Sequence, residues 1–150
     1  MSILDEYDPQ GKPLLTPENF YGKGETIAGV CIVTFHHKVT EKVLAEHAPT
    51  KVAAAFTANG EIPIYRFSSE GKHILFYMSP IGAPAAGAAL TEVSALTGAR
   101  HFIVFGSCGV LEPESARGKI LVPTSSYRDE GLSYHYAPPA DTIRMKNSGT

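Results

Sequence analysis

The segment HFIVFGSCG, at residues 101–109, decides the fold class of this chain. Its first five residues predict a strand, and a strand that is apolar almost throughout is typical of a sheet covered on both faces. A second run of this kind, TIAGVCIVTF, occupies residues 26–35. Two such runs separated by helical sequence favour an α/β fold with a mostly parallel or mixed sheet flanked by helices.

The sequence around these two runs alternates between helix and strand patterns. A short amphipathic helix is predicted around 39–44 and ends at Pro49, and an Ala-rich helix is predicted at 84–96 and ends at Gly98. We expect the strand at 73–78 to share one sheet with the two runs quoted above. The other predicted strands lie at 51–57, 62–67 and 119–122.

Composition and charge argue against several classes of protein. With 43% hydrophobic and 19% charged residues, the 150-residue chain can build one hydrophobic core. A net charge of −2 with scattered basic residues argues against a nucleic-acid partner, and short, broken apolar runs argue against a membrane span. We predict an irregular arm at 1–25, without a signal-peptide pattern, and one domain at 26–150. Two cysteines favour a reduced, cytoplasmic location.

The turn Gly106-Ser107-Cys108-Gly109 is the first candidate for chemistry. In open α/β sheets, ligands bind beyond the carboxyl ends of the strands, where this turn is expected. Two glycines around a hydroxyl residue allow backbone N–H groups to form an anion-binding nest, with the Ser107 hydroxyl as a further donor. A plain tight turn explains the same residues. The residues alone therefore leave phosphate binding and a structural turn as alternatives.

Nucleophilic and metal chemistry are less favoured by the sequence. Ser107 is not part of a G-x-S-x-G elbow, and a thiol such as Cys108 beside a buried strand is more often a packing residue. His36 and His37 are expected to point to opposite faces of an extended segment, without a Cys or carboxylate at ligand spacing. We therefore predict no metal site and assign no catalytic residue.

A second candidate is YRDEGLSYHY, at residues 127–136, where charges, hydroxyls and aromatic rings are dense. Aromatic rings offer flat faces for a base or a sugar, and Arg128 and His135 offer hydrogen-bond donors. The alternative is a solvated surface turn with an ion pair between Arg128 and Glu130. Arg128 and His135 are thus candidate substrate-binding residues, with the surface turn left open.

Three segments carry a resemblance to known proteins. They are Ile81–Pro84 with Thr91–Val93, HFIVFGSCGVL with Gly118–Ile120 and Val122–Pro123, and Tyr127–His135. Together they resemble the family of nucleoside phosphorylases, which includes uridine phosphorylase and hexameric purine nucleoside phosphorylase, and the last of the three resembles the uridine phosphorylase branch. The resemblance covers about residues 26–140 and implies the N-terminal part of a phosphorylase/hydrolase-type domain, incomplete at its C-terminus.

The resemblance implies a pentosyltransferase that moves the ribosyl or deoxyribosyl group of a nucleoside to inorganic phosphate, in nucleoside salvage or catabolism. Uridine is the favoured nucleoside. Gly106, Ser107 and Gly109 would bind phosphate, and Lys38 lies near the position of a family arginine. Phosphate would be a co-substrate, and no cofactor is expected. Relatives complete each active site with residues of a neighbouring subunit, so a homo-oligomer is also implied for the complete protein.

The chain also departs from this family. Val104 stands where many relatives carry an arginine, and losing that bidentate contact would weaken phosphate binding unless another cation compensates. Family members are longer, so we expect a truncated chain with an open sheet edge and exposed apolar faces, inactive alone. The alternatives are a nucleosidase, or a non-catalytic nucleoside-binding or regulatory module on the same fold.

Overall fold

The computed structural model describes residues 2–5, 7–22 and 24–145, except for the side chains of residues 3 and 115. Over these residues, no helix is long and apolar enough to cross a membrane. Short 3₁₀ helices lie at Ile3–Asp5 and Leu132–His135. The α-helices are α1 (Pro17–Tyr21), α2 (His37–His47), α3 (Ala83–Thr97) and α4 (Pro113–Ala116). The strands are β1 (Val30–Thr34), β2 (Thr50–Thr57), β3 (Gly60–Ser69), β4 (Lys72–Met78), β5 (His101–Phe105), β6 (Ser125–Tyr127) and β7 (Thr142–Arg144).

The chain forms two compact units. Of the described residues, those within 13–106 form the sheet unit, and those within 2–12 and 107–145 form the hairpin unit. The segment 1–25, predicted as one irregular arm, contains a 3₁₀ helix and α1 and contributes to both units. Residues 13–25 group with the sheet because α1 packs against α3.

The sheet unit has a five-stranded mixed sheet in the order β2-β3-β4-β1-β5. Strands β4, β1 and β5 run parallel, whereas β2, β3 and β4 form an antiparallel meander. In the chain, α2, β2 and β3 lie between the paired strands β1 and β4. The pairing of β1 with β5 places the two apolar runs side by side. The predicted mixed α/β sheet and the shared sheet of 26–35, 73–78 and 101–105 are confirmed.

The helix ends follow local chemistry. The helix α2 stops before Pro49, with Ala48 in a left-handed conformation at φ 40°, because the residue before a proline avoids helical geometry. The helix α3 begins near Pro84 and stops at Gly98, whose φ is 70°. The Glu70-Gly71 turn, with φ values of 51° and 75°, joins β3 to β4 as a tight hairpin.

The core of the sheet unit lies between the sheet and α3. Burial in it raises the pKa of the Cys31 thiol to about 12. Burial likewise raises the pKa of the Tyr77 hydroxyl, which has no hydrogen-bond partner among the described residues. The buried core residues are Ala28, Cys31, Val33, Ala55, Ile62, Ile64, Leu75, Tyr77, Ala89, Val93 and Ala99.

Replacing Tyr77 with phenylalanine is expected to raise the free energy of unfolding by about 1 kcal/mol. A buried hydroxyl without a partner carries a desolvation cost that the phenyl ring does not. Urea unfolding followed by circular dichroism measures the change. A loss of more than about 1 kcal/mol would instead show that the hydroxyl is satisfied by ordered water.

Tyr21 is the opposite case, because its hydroxyl has two partners. It donates to Glu92 Oε2 at 2.9 Å and accepts from the Phe56 N–H at 3.2 Å, so it ties α1 to α3 and β2. Tyr21→Phe is expected to cost about 1–2 kcal/mol in the same urea unfolding. Tyr65→Phe is the control, since the Tyr65 hydroxyl bonds to none of the described residues. Equal effects at Tyr21 and Tyr65 would contradict the expectation.

Two predicted strands differ from the structure. The strand predicted at 26–35 is shortened to β1, because the residues before Val30 make other bonds. The Ile27 N–H donates to Thr97 O at 2.8 Å, and Gly29 O accepts from the N–H groups of Arg100 and His101. Ile27 and Gly29 therefore bond to the last residue of α3, to the connection that follows it and to the first residue of β5, ahead of the regular pairing of β1. The strand predicted at 119–122 is absent from the described residues. Ile120 and Val122 are 92% and 77% exposed there and pair with no strand.

The expectation that HFIVF is covered on both faces is wrong for this chain. Strand β5 is at the edge of the sheet and bonds only to β1 among the described strands. Ile103, Val104 and Phe105 are 56%, 59% and 55% exposed, whereas Phe102 packs against the core. The edge position leaves one side of each residue without a neighbouring strand, which agrees with the expected open edge and exposed apolar faces.

Candidate functional site

The parallel strands of the sheet unit end level with one another. Thr34 is in register with Met78 on one side and with Phe105 on the other. Ser79 N–H then donates to Thr34 O at 2.8 Å, which continues the pairing one residue beyond β4. The carboxyl ends of β4, β1 and β5 therefore form one edge, which is where open α/β sheets bind ligands.

Lys38 lies at this edge, in the first turn of α2. Its backbone N–H donates to His36 Nδ1 at 3.1 Å, so His36 caps the helix. The Lys38 side chain is exposed and its ammonium forms no ion pair with the described residues. The expectation that His36 and His37 point to opposite faces is wrong, because their rings stack with centroids 4.8 Å apart. His36 keeps an extended backbone as the N-cap, but His37 is the first residue of α2, so the extended segment ends between the two residues.

Ser79 is a buried polar residue at this edge that the sequence interpretation missed. Its hydroxyl donates to Pro80 O at 3.0 Å. Thr34, the last residue of the neighbouring strand β1, is also buried, and its Oγ1 accepts a weak hydrogen bond from the His36 N–H at 3.4 Å. A serine directly after the strand at 73–78 was the available signal. These contacts fix the backbone of the edge.

A groove of about 570 Å³ opens beside this edge, between the β2–β3 turn, the end of β4 and the first turns of α3. Its walls are mainly apolar, with the Glu92 carboxylate among its lining groups. None of the six predicted site residues lines it.

Gly106 follows β5 directly and belongs to the sheet unit, whereas Ser107 and Gly109 belong to the hairpin unit. All three are exposed. Neither glycine has a positive φ, so the backbone does not adopt the left-handed step expected of an anion nest. The Ser107 hydroxyl bonds to no group of the described residues, which leaves it accessible. Cys108 is exposed, so the packing role expected for its thiol is wrong.

Arg128, in the hairpin unit, is buried and bonded within its own segment. Its Nε donates to Ser133 Oγ at 2.9 Å and its Nη2 to Ala137 O at 3.1 Å, and Nη1 donates to Pro138 O. The guanidinium carbon lies 4.2 Å from the centroid of the Tyr134 ring, a cation–π contact. We name this group of five residues the arginine clasp.

Glu130 adds to the arginine clasp, and its carboxylate does not form the ion pair with Arg128 that belonged to the surface-turn alternative. Its carboxylate accepts from the Ser133 hydroxyl and from Ser133 N–H, at 3.1 Å to Oε2. The Ser133 hydroxyl is the main cause that holds the pKa of Glu130 below its ordinary value, with a smaller Coulombic contribution from Arg128. His135, in the same segment, is exposed and also forms an interaction within the chain.

The structure thus places Lys38 and Gly106 at one edge of the sheet unit. The remaining predicted site residues, which are Ser107, Gly109, Arg128 and His135, belong to the hairpin unit. Their roles in binding phosphate or substrate stay predictions.

Known proteins are similar to this chain over most of its length. A uridine phosphorylase from Salmonella typhimurium is 32% identical over 112 residues, which are 74% of this chain and 42% of that protein. A uridine phosphorylase from Escherichia coli is 33% identical over 90 residues, 60% of this chain and 34% of that protein. A guanosine phosphorylase from Halorubrum lacusprofundi is 32% identical over 78 residues, 52% of this chain and 32% of that protein.

The chain spans less than half the length of these curated relatives. The family profile described as the phosphorylase superfamily matches residues 30–148. This range contains β1, β4 and β5, the turn Gly106–Gly109 and the arginine clasp. The resemblance to nucleoside phosphorylases that the three sequence segments indicate is confirmed, and the chain belongs to the phosphorylase superfamily.

Proposed function

We propose that this protein is a nucleoside phosphorylase that transfers the pentosyl group of a nucleoside to inorganic phosphate and releases the base. The observation that carries the proposal is the phosphorylase superfamily match over residues 30–148, which includes all six predicted site residues. The level carboxyl ends of three parallel strands support it, because they provide an edge of the kind at which such folds bind ligands.

The chemistry requires phosphate to be held against C1′ of the sugar while positive charge develops on the ring. Positioning and electrostatic stabilisation can supply most of the acceleration, and no protein nucleophile or cofactor is needed. In this proposal Ser107 donates its hydroxyl to phosphate, together with backbone groups around Gly106 and Gly109. Lys38 supplies positive charge from the first turn of α2, where its exposed ammonium forms no ion pair with the described residues.

We propose uridine as the favoured nucleoside. The relatives from Salmonella typhimurium and Escherichia coli, at 32–33% identity, are uridine phosphorylases and support uridine. The 32% identical guanosine phosphorylase makes guanosine the comparison substrate. The segment 127–136, with its aromatic rings and the exposed His135, is the proposed contact with the nucleoside.

We further propose that this chain requires additional residues for activity, and that the complete protein is a cytoplasmic homo-oligomer. The exposed apolar residues of β5 and the short span of the relatives' length support the first part. Sequencing the coding region downstream of Thr150 tests it, because a continuation of the reading frame would supply the additional residues, whereas a stop codon there would favour the non-catalytic module. Light scattering of the encoded protein tests the second part, and a monomer at every concentration would contradict it.

The experiment that tests the activity uses the protein encoded by the complete reading frame that contains this chain. Uridine is incubated with and without inorganic phosphate, and uracil and ribose 1-phosphate are quantified by chromatography. The proposal expects uracil release that depends on phosphate, with ribose 1-phosphate in equal amount. Guanosine under the same conditions tests the choice of nucleoside. Uracil release at the same rate without phosphate would indicate a nucleosidase.

A non-catalytic nucleoside-binding or regulatory module is the second candidate, and Val104 favours it. Valine offers no charge for phosphate at the position where the resemblance to the family implies an arginine, and it is more than half exposed at the edge strand. For such a module, uridine binds in calorimetry but no uracil appears with or without phosphate. Restoring charge with Val104→Arg separates the two candidates, because it should raise phosphate affinity only where a phosphate site exists.

A further inference from the structure

The arginine clasp leaves little of Arg128 for a ligand. The residue is 5% exposed, so its guanidinium is turned into the chain instead of toward solvent. A side chain that binds substrate directly has to present donors to the site that receives the substrate. Arg128 presents its donors to Ser133 Oγ, Ala137 O and Pro138 O.

The acceptors of Arg128 explain why arginine is required. One planar guanidinium reaches a hydroxyl oxygen five residues away and two consecutive backbone carbonyls nine and ten residues away. A lysine ammonium is a point charge and cannot span these three acceptors in one plane. Carbonyl groups just before and within a Pro-Pro pair have few other donors nearby, because proline has no N–H.

The backbone of Arg128 is held as well. Its N–H donates to Asp141 O at 3.0 Å, which extends the β6–β7 ladder by one step, and its carbonyl accepts from the Tyr134 hydroxyl at 3.1 Å. Residue 128 therefore joins the two-stranded sheet to the 3₁₀ helix Leu132–His135. Tyr136 N–H and Ala137 N–H both donate to Ser133 O, which closes the turn after this helix.

We propose that Arg128 is a positioning residue, which fixes the segment 132–138 from inside and does not itself bind substrate. It holds His135 and Tyr136 in the orientation in which they meet the nucleoside, a step that rests on the proposed function. Substrate binding, which the sequence predicts for Arg128, is then carried out by His135 and Tyr136, which Arg128 orders.

Hydrogen–deuterium exchange of the protein encoded by the complete reading frame tests the positioning role without any ligand. In Arg128→Met the amides of Ser133, Tyr136 and Ala137 are expected to exchange at least about 10-fold faster, because the bonds that close their turn lose support. Arg128→Lys should give an intermediate increase. Arg144→Met removes an exposed arginine from β7 of the same unit and should leave these amides unchanged. The amides of β1, in the sheet unit, report whether each variant remains folded.

Ser133→Ala is the second variant, for the case in which Arg128→Met does not fold. It removes only the acceptor of Nε and the Glu130 bond, and a smaller acceleration of the same amides is expected. Unchanged exchange in Arg128→Met, with intact protection of β1, would overturn the proposal. So would protected amides together with weaker uridine binding, because Arg128 would then be a direct contact.

Uridine kinetics of the protein encoded by the complete reading frame test the link to substrate. Arg128→Met is expected to raise the KM for uridine at least about 10-fold, with the KM for phosphate changed by less than about 2-fold. Faster exchange with an unchanged uridine KM would overturn the link to the nucleoside. If the wild type neither binds nor cleaves uridine, the proposed function fails, and the exchange experiment alone decides whether Arg128 orders the segment.

Discussion

Replacing Ser107 with alanine is expected to weaken the binding of inorganic phosphate by about 10- to 150-fold. One hydrogen bond to an anion contributes about 1.5–3 kcal/mol, and about 1.4 kcal/mol corresponds to a factor of ten. The hydroxyl is exposed and bonds to none of the described residues, so alanine breaks no intramolecular hydrogen bond. The effect should therefore appear in phosphate binding and not in the free energy of unfolding.

Separate titrations of phosphate and uridine into the protein encoded by the complete reading frame measure this effect. Ser69→Ala is the matched control, because Ser69 is another exposed serine without a side-chain partner among the described residues and lies at the far end of β3. A fall in uridine affinity with unchanged phosphate affinity would show that the turn is assigned to the wrong ligand. If neither changes, Ser107 is a turn residue only.

The absence of an arginine at Val104 should make the Ser107 effect easier to detect. With fewer cations near the phosphate, each remaining donor carries a larger share of the binding energy. In Val104→Arg the same Ser107→Ala substitution is then expected to cost less. A double-mutant cycle of Val104→Arg and Ser107→Ala measures this coupling.

The sheet was predictable from the sequence because its determinants are local. The apolar runs at 26–35 and 101–105 indicate buried parallel strands, and Pro49 and Gly98 stop helices whatever the rest of the chain does. The exposure of β5 was not predictable in the same way. The apolar residues of a strand show that it can be buried, but the elements that pack beside it determine whether it is buried.

The candidate site was predictable only in part, for a related reason. Residue type indicated that Arg128 carries donors, but two of its acceptors are backbone carbonyls, which every residue possesses and no sequence pattern marks. The stacking of His36 on His37 likewise depends on the helix that begins there. For Gly106 and Ser107, residue type and the position directly after a predicted strand indicated the end of that strand, whereas Lys38 was indicated only by the resemblance to the family.

Gly98→Ala is expected to lower the free energy of unfolding of the chain by about 2–5 kcal/mol, for two independent reasons. Gly98 has a φ of 70°, a left-handed conformation that costs a residue with a Cβ about 1–2 kcal/mol. A Cβ at Gly98 would also lie 2.6 Å from Thr26 Oγ1 and 2.8 Å from Thr26 Cα, so overpacking adds about 1–3 kcal/mol. The second contact is with backbone, which a side-chain rotation cannot relieve.

Gly71→Ala separates the two reasons, because Gly71 has nearly the same φ of 75° and no atom within 4 Å of its added Cβ. Urea unfolding should give a loss of about 1–2 kcal/mol for Gly71→Ala and a clearly larger loss for Gly98→Ala. Thr26→Ala combined with Gly98→Ala should recover only part of the difference, since the contact with Thr26 Cα persists. Equal losses at the two glycines would mean that the segment before β1 moves away without cost. That result would contradict the role assigned here to the Ile27–Thr97 hydrogen bond, which holds this segment against the end of α3.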